Sequence, residues 1–354
     1  VLEMTTGSIV IESARIGAGH PPFVIAEMSG NHKGSLDRAL LLVDAAAASG
    51  AHAVKLQTYT ADTLTIDVNA SDFVVKGNTP WSGRTLHDLY QEAHTPWEWH
   101  GPIMQRARQH GLVVFSTPFD ETAVDFLEAL DVPAYKIASF ENVHLPLIAR
   151  VAATGKPVII STGMATIGEI HDAVTAARSS GCRDLVLLKC TSTYPATPAD
   201  SNLLSIPELK TAFQCEVGLS DHTLGIGVSV AAVALGASVI EKHLTLSRAE
   251  GGVDAAFSLE PAELAQLVRE TRQAFESLGK VFFGPSANEV SSLAYRRSLY
   301  VAEDMRSGDV FSTRNLRIIR PGFGLPPKFY NVVLGARAKR DLAKGTAVSW
   351  DVVL

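Results

Sequence analysis

Eight short β-branched or apolar runs recur along the first 280 residues, at 23–29, 53–59, 112–119, 134–139, 157–162, 185–190, 216–222 and 239–244. Segments with helical period separate them. The clearest is 35–49, where Leu36, Leu40, Val43 and Ala47 share a face, Ser35 caps the start and Gly50 the end. Strands alternating with helices make parallel βαβ units, and eight of these over residues 23–278 have the size of an α/β fold of the (β/α)8 TIM-barrel type. A doubly wound sheet uses the same units, but no G-x-G-x-x-G follows the first strand. Strand starts lie 22 to 31 residues apart except for one interval of 59, so an insertion at 60–94 follows the second strand. That is the loop side on which barrel enzymes keep their active sites.

After the barrel, expected over residues 1–280, the pattern lapses at 281–296, which reads as a linker, and short strands and turns follow over 297–354 as a small β-rich domain. This last segment has 10 Lys plus Arg against 5 Asp plus Glu, net +5, and the rest of the chain carries −11. A basic module on an acidic barrel suggests docking. With an overall charge of −6 the molecule has no electrostatic footprint for nucleic acid, so an anionic ligand needs a local cluster. The longest apolar stretch, 228–240, is too short to span a bilayer, and the N-terminus lacks a basic region followed by an apolar one. Cys182, Cys190 and Cys215 are odd in number and lack CxxC spacing, which fits a reducing compartment. A soluble, cytoplasmic protein with no membrane partner is therefore expected. Val1 is not an initiator Met, and the first few residues are expected to be a processing remnant.

In a barrel the C-terminal strand ends converge on one mouth, and here those ends are polar. They carry Glu27; Lys55 and Gln57; Ser116 and Thr117; Lys136 and Ser139; Ser161 and Thr162; Lys189, Thr191, Ser192 and Tyr194; Ser220, Asp221 and His222; and Glu241, Lys242 and His243. A parallel strand is buried on both faces, so a lysine within VKLQ or YKIAS is costly unless it is paired or faces a wet mouth. One such lysine is explained by a neighbouring carboxylate; Lys55 and Lys136 with a ring of hydroxyls point to a bound phosphate or carboxylate. His222 and His243, on adjacent strand ends, either share a divalent metal or are one catalytic histidine and one bystander. The other nine histidines read as surface or loop residues. Asp254, in a Gly-Gly-Val-Asp turn, is a hydroxyl acceptor or a turn residue, and Trp81, Trp97 and Trp99 are expected to pack the insertion onto the barrel.

These residues stand in motifs that resemble the sialic acid synthase family from end to end: IAEMSGNHKGS, AVKLQTY, FSTPFD, YKIASFE, IISTGMA, LLKCTSTYP, VGLSDHT and IEKHLTL followed by GGVDAAFSLEP. RSLYVAEDMRSGDVFSTRNLRIIRPGFGL resembles the SAF, or antifreeze-like, domain of those synthases. Within the insertion, FVVKG, TLHDLY and HTPWEWH resemble the pseudaminic acid branch, with the N-acetylneuraminate and legionaminic acid branches as alternatives. The resemblance implies condensation of phosphoenolpyruvate with an amino-sugar aldehyde, 2,4-diacetamido-2,4,6-trideoxy-L-altrose. It implies that Lys55, Thr117, Lys136, Ser139, Ser161, Ser192 and Ser220 hold phosphoenolpyruvate. His222 and His243 would bind Mn, or Mg or Co, and Glu27, Gln57, Tyr194 and Asp254 would face the sugar or the reacting centre. Glu27, Lys55, Lys136 and His243 are the catalytic candidates, with Glu27 either activating water or binding a sugar hydroxyl. Arg320, in the RPG motif, is expected to reach the sugar's acyl group from the partner subunit of a domain-swapped homodimer. Leu244, Ser247 and Val253 depart from the family's usual Phe, Asp and Pro, and Gly101-Pro102 is expected to interrupt a helix.

Overall fold

The computed structural model describes residues 8–77 and 79–354, so the opening residues read as a processing remnant lie mostly outside the described residues. The chain divides into two compact units, Val1–Gly279 and Lys280–Leu354. In the first, eight parallel strands close into a barrel: β1 (Phe23–Glu27), β2 (Ala53–Thr58), β3 (Val113–Pro118), β4 (Tyr135–Ile137), β5 (Val158–Ser161), β6 (Leu185–Cys190), β7 (Glu216–Ser220) and β8 (Val239–His243). Closure pairs β8 with β1, setting Val239 opposite Phe23 and His243 opposite Glu27. An antiparallel hairpin, Ile9–Ile11 with Ala14–Ile16, precedes β1. Its Ile9, Ile11 and Ile16 join Phe23, Ile25, Ala53, Val113, Phe115, Ile159, Val186, Leu188 and Val239 in the barrel's inner apolar core. The opposite strand faces pack against the helices in a second, larger core. Both faces are thus dry, which is why the strands read as continuous apolar runs.

The first helix is Leu36–Ala48, with the Ser35 hydroxyl accepting from the Arg38 N–H. Its buried stripe is Ala39, Leu42, Val43 and Ala46; Leu36, Leu40 and Ala47 from the expected stripe are only partly buried, so the face is turned by about one residue. Pro102 does not interrupt its helix, which runs unbroken over Trp97–Gln109. The proline is exposed, so the Glu98 carbonyl it leaves without an intrahelical donor faces water.

Two of the nine histidines expected as surface or loop residues are buried. His100 Nε2 lies 2.8 Å from Thr58 Oγ1, and His32 Nε2 lies 3.3 Å from Thr95 Oγ1. Burial pulls both rings down to about 4; the neighbouring His94 adds to this at His32, while the Pro96 carbonyl opposes it at His100. Above about pH 6.5 each is neutral folded or unfolded, whereas below it only the unfolded chain gains the proton. Stability to denaturant should therefore be full above about pH 6.5 and fall towards pH 4 by about 1.4 kcal/mol per pH unit per histidine. Denaturant titrations from pH 8 to 5 should show a shallower slope for His100→Gln, and an unchanged slope would refute the assignment.

The insertion after β2 contains the short helix Ala61–Leu64, an isolated bridge between Val74 and Thr85, and the helix Leu86–Ala93. The second unit is built on β9 (Ser298–Val301) and β10 (Leu316–Ile319), paired antiparallel, with Leu299, Val301, Met305, Phe311, Leu316 and Val348 in its core. Residues 281–296, expected as a connection, include a 3-10 run at Ala287–Tyr295, and the Ala294 carbonyl accepts from Gly322 N–H of the RPG turn at 2.9 Å. Among the described residues, no helix is long and apolar enough to cross a membrane.

Candidate active site

Every second residue of a strand points into the barrel, so the inward positions beyond the apolar core form a polar layer. Glu27 on β1 is in register with Lys55 on β2, and Gln57 with Thr117 on β3. Lys136, Ser161, Ser220, Glu241 and His243 follow around the ring on β4, β5, β7 and β8. Lys55 Nζ forms an ion pair with Glu27, lies 3.6 Å from Glu241 Oε1, and donates to Thr117 Oγ1 at 3.3 Å. Lys136 Nζ donates to Ser161 Oγ at 2.7 Å and lies 3.7 Å from the same Glu241 oxygen, which also accepts from Ser220 Oγ at 3.1 Å. Each lysine thus has the carboxylate neighbour that the simpler reading required. The two cations nonetheless converge on one hydroxyl-lined space, the arrangement that suits an anion.

Burial opposes charge throughout this layer. At Lys55 it is outweighed by Glu241 and Glu27, which hold the ammonium pKa above its ordinary value; at Lys136 burial prevails over Glu241 and the pKa is lowered. Burial raises Glu27 with Lys55 pulling against it, whereas at Glu241 the two lysines outweigh burial and the carboxylate is held ionised.

Backbone geometry places the hydroxyls beyond the strands. Ser139, heading a 3-10 turn after β4, accepts from Gly163 N–H at 3.1 Å, and Ser192 follows β6. A Cβ at Gly163 would lie 2.6 Å from Ser139 Oγ and closer still to Ser192 Oγ. The same Cβ would lie 2.9 Å from Ser139 Cβ, so in Gly163→Ala the turn after β4 must shift together with the two hydroxyls, and the KM for an anionic substrate should rise by at least about tenfold, a loss of roughly 1.4 kcal/mol of binding. Steady-state kinetics beside a melting curve would test this; an unchanged KM would separate the two serines from anion binding.

The His222 and His243 rings are 5.3 Å apart between centroids. His222 Nδ1 lies 3.0 Å from the Thr191 carbonyl and 3.9 Å from Cys190 Sγ. His243 is held well below its ordinary pKa by burial and then by His222, so its ring is neutral, and its buried Nδ1 has no hydrogen-bond partner. A neutral imidazole with an orphaned nitrogen beside a second imidazole fits a divalent ion with open coordination positions. No group of three or more His, Cys, Asp or Glu among the described residues forms a closed metal shell. Tyr194 packs on His222 at a tilt with ring centroids 4.5 Å apart, and Phe257 lies 5.0 Å from His243. Asp254 is buried, accepts from the Ser29 hydroxyl, and is raised by burial.

Several expected mouth residues point elsewhere. Lys242 and Asp221 form a buried ion pair at 2.9 Å, with Ser229 on the following helix also donating to Asp221. They are therefore on the outward register. Ser116 likewise faces out, 2.7 Å from Thr58 Oγ1, and Lys189 Nζ donates to the Cys190 carbonyl beside the helices. Arg320 belongs to the second unit, where it follows β10 and is exposed.

Three residues of the site had no site role assigned from the sequence: Glu241 was named only as a polar strand end, Trp81 only as packing, and Glu141 not at all. Glu241 bridges both lysines; its inward register two residues before His243 was the available signal. Glu141, two residues after Ser139, is pushed up to about 7 by burial against the pull of Lys136, and its Oε2 has no hydrogen-bond partner. Trp81 does more than pack the insertion: it reaches Tyr194 and Phe257 at 5.4 and 6.3 Å. Trp97 and Trp99 lie beyond the insertion, in the helix Trp97–Gln109, and their rings pack on Phe126 and His32, which are not insertion residues.

Residues 42–282 match the NeuB family and 296–354 the SAF domain. The pseudaminic acid synthase of Campylobacter jejuni is 44% identical over 92% of this chain and 95% of its own length, and that of Helicobacter pylori 40% over 94% and 97%. The N,N'-diacetyllegionaminic acid synthase of Legionella pneumophila is 38% identical over 95% of both chains. Among solved structures, an N-acetylneuraminic acid synthetase from Leptospira borgpetersenii in complex with citrate superposes with a TM-score of 0.73 at 33% identity, covering 82% of this chain and 96% of that one.

Proposed function

The chain belongs to the NeuB family and carries a SAF domain, and from that premise we propose that it is a pseudaminic acid synthase. It condenses phosphoenolpyruvate with 2,4-diacetamido-2,4,6-trideoxy-L-altrose and water to give a nine-carbon 2-keto acid and phosphate. The observation that carries this reading is the convergence of Lys55 and Lys136 on one hydroxyl-lined mouth beneath two neighbouring imidazoles.

The residues suit the steps. Lys55 with Thr117 and Lys136 with Ser161 neutralise the carboxylate and phosphate of phosphoenolpyruvate, while Ser139, Ser192 and Ser220 complete the cradle. Held there, the enol carbon attacks the aldehyde carbon of the open-chain sugar, and the carbon–carbon bond forms as the aldehyde oxygen takes a proton. Positive charge develops at the carbon bearing the phosphate ester; water adds, and phosphate leaves by carbon–oxygen cleavage. Orienting phosphoenolpyruvate against the neutral sugar aldehyde accounts for about 7 kcal/mol or more of the barrier in intramolecular precedents. Glu27, its carboxyl raised by burial and fixed by the Ser29 N–H at 2.8 Å, receives a proton from the water. Gln57, Tyr194 and Asp254 position the sugar. His222 and His243 would hold a divalent ion, Mn or else Mg or Co, which supplies Lewis acidity toward a carbonyl oxygen.

The proposal extends to a homodimer in which the SAF domain of a second copy brings its Arg320 to the sugar's acyl group. Val281 and Phe283, each more than 90% exposed, support it, since apolar side chains this open call for a partner. So does the opposition of +5 on the C-terminal segment to −11 on the remainder. The cytoplasm is the proposed compartment, consistent with three buried free thiols. The deciding experiment is phosphate release from phosphoenolpyruvate with a panel of amino sugars: the L-altro sugar, its manno-configured 6-deoxy isomer, and N-acetylmannosamine. Release with the first well above the others is expected, and none from any of the three would end the reading.

A further inference from the structure

The insertion after β2 delivers one aromatic side chain across the mouth. The Val74 and Thr85 bridge, with Val75 N–H donating to Arg84 O and Gly83 N–H to Val75 O, each at 2.9 Å, makes a narrow hairpin with Trp81 near its tip. The half-buried indole rests against Tyr194 from the loop after β6 and approaches Phe257, from the loop after β8, edge-on. Tyr194 and Phe257 are 5.1 Å apart and in turn pack on His222 and His243. Three loops far apart in sequence thus build one aromatic wall over the two imidazoles. The one polar atom of the indole is already used, because Nε1 donates to the Val253 carbonyl at 2.8 Å. Trp81 has no donor left for a substrate hydroxyl, and its ring offers only an apolar face. The same bond ties the insertion to the peptide immediately before Asp254, whose carboxylate the Ser29 hydroxyl holds.

We infer that Trp81 determines sugar specificity: with Tyr194 and Phe257 it forms the surface that takes an apolar substituent of the amino-sugar aldehyde, a methyl where other sugars carry a hydroxymethyl. The inference rests on the proposed synthase activity. A wall of aromatic faces stabilises a methyl group by burying it, and a hydroxyl in the same place loses its water without gaining a partner. An apolar pocket of this kind rejects an added hydroxyl by about 100-fold. Because Trp81 lies outside the lysine layer, it should affect the choice of sugar and leave phosphoenolpyruvate binding alone.

The test is kcat/KM for the 6-deoxy diacetamido sugars and for N-acetylmannosamine, with KM for phosphoenolpyruvate, in the wild type, Trp81→Phe and Trp81→Ala. Trp81→Phe, which keeps a ring, should hold the preference for 6-deoxy sugar to within about threefold. Trp81→Ala should lower it by at least about tenfold, by weakening the 6-deoxy sugar and relieving N-acetylmannosamine, with phosphoenolpyruvate KM unchanged. If the alanine variant does not fold, Trp81→Gln, closer in volume and polar, carries the same expectation. Equal losses on all sugars would make Trp81 a merely structural latch and overturn the inference, as would no change at all. A wild type that prefers the manno-configured 6-deoxy isomer revises the proposed substrate but leaves this test standing. A wild type equally efficient on N-acetylmannosamine overturns the inference while the synthase reading survives.

Discussion

Lys136→Ala is expected to lower turnover by about 100- to 1,000-fold, the scale on which removing one preorganised donor from a dry site acts. Lys136 is buried, its ammonium bonded to Ser161 and close to Glu241, and the corresponding charge on Lys55 is already shared between Glu27 and Glu241. Without Lys136 the phosphate and carboxylate of phosphoenolpyruvate face a layer of one lysine and two carboxylates. The truncation also leaves Glu241 under-neutralised, and breaking a buried pair costs about 3–5 kcal/mol, so a melting curve must accompany the kinetics. Lys136→Met, which keeps the volume, should be equally inactive. Arg320→Ala should also be inactive, but for a reason located in the other chain. Mixed under conditions of subunit exchange, the Lys136→Ala and Arg320→Ala proteins should regain up to about one working site per mixed dimer, since one mouth then has both an intact barrel and an intact partner domain. Proven exchange with no recovery would show that Arg320 does not act across chains.

Removal of divalent metal is expected to abolish turnover, with Mn restoring it. A Lewis acid at a developing alkoxide is worth several kcal/mol, so a loss of roughly three orders of magnitude is the scale anticipated. His243 is the more exposing substitution: its ring is neutral through burial, and the orphaned Nδ1 has no structural bond to lose. His243→Ala should therefore weaken metal retention in equilibrium dialysis, with the melting temperature lowered only by the packing lost on Phe257. His222→Ala should weaken retention too, but it also removes the bond to the Thr191 carbonyl and disturbs the packing with Tyr194. Full activity in chelated protein would sink this assignment, and unchanged metal content in both variants would move the ion elsewhere.

The sequence by itself determined the eight strands, because a parallel strand dry on both faces must be a short β-branched run, and it located the polar ends where such strands open to a mouth. Lys55, Lys136, His222 and His243 were legible for the same reason: charge and imidazole are too costly in those runs to be accidental. The phase of each strand was not legible. When both faces are apolar, the alternation that separates inside from outside leaves no trace in hydrophobicity, so Lys242 and Ser116 looked like mouth residues although they face the helices. Barrel closure decided which charges meet. It set His243 beside Glu27 across the β8–β1 seam and placed Glu241 between two lysines from strands distant in the chain. The insertion was visible as an interval of excess length, but only its folding back over the mouth put Trp81 against Tyr194 and Phe257, because a loop's path is fixed by the contacts it finds and not by any period of its own.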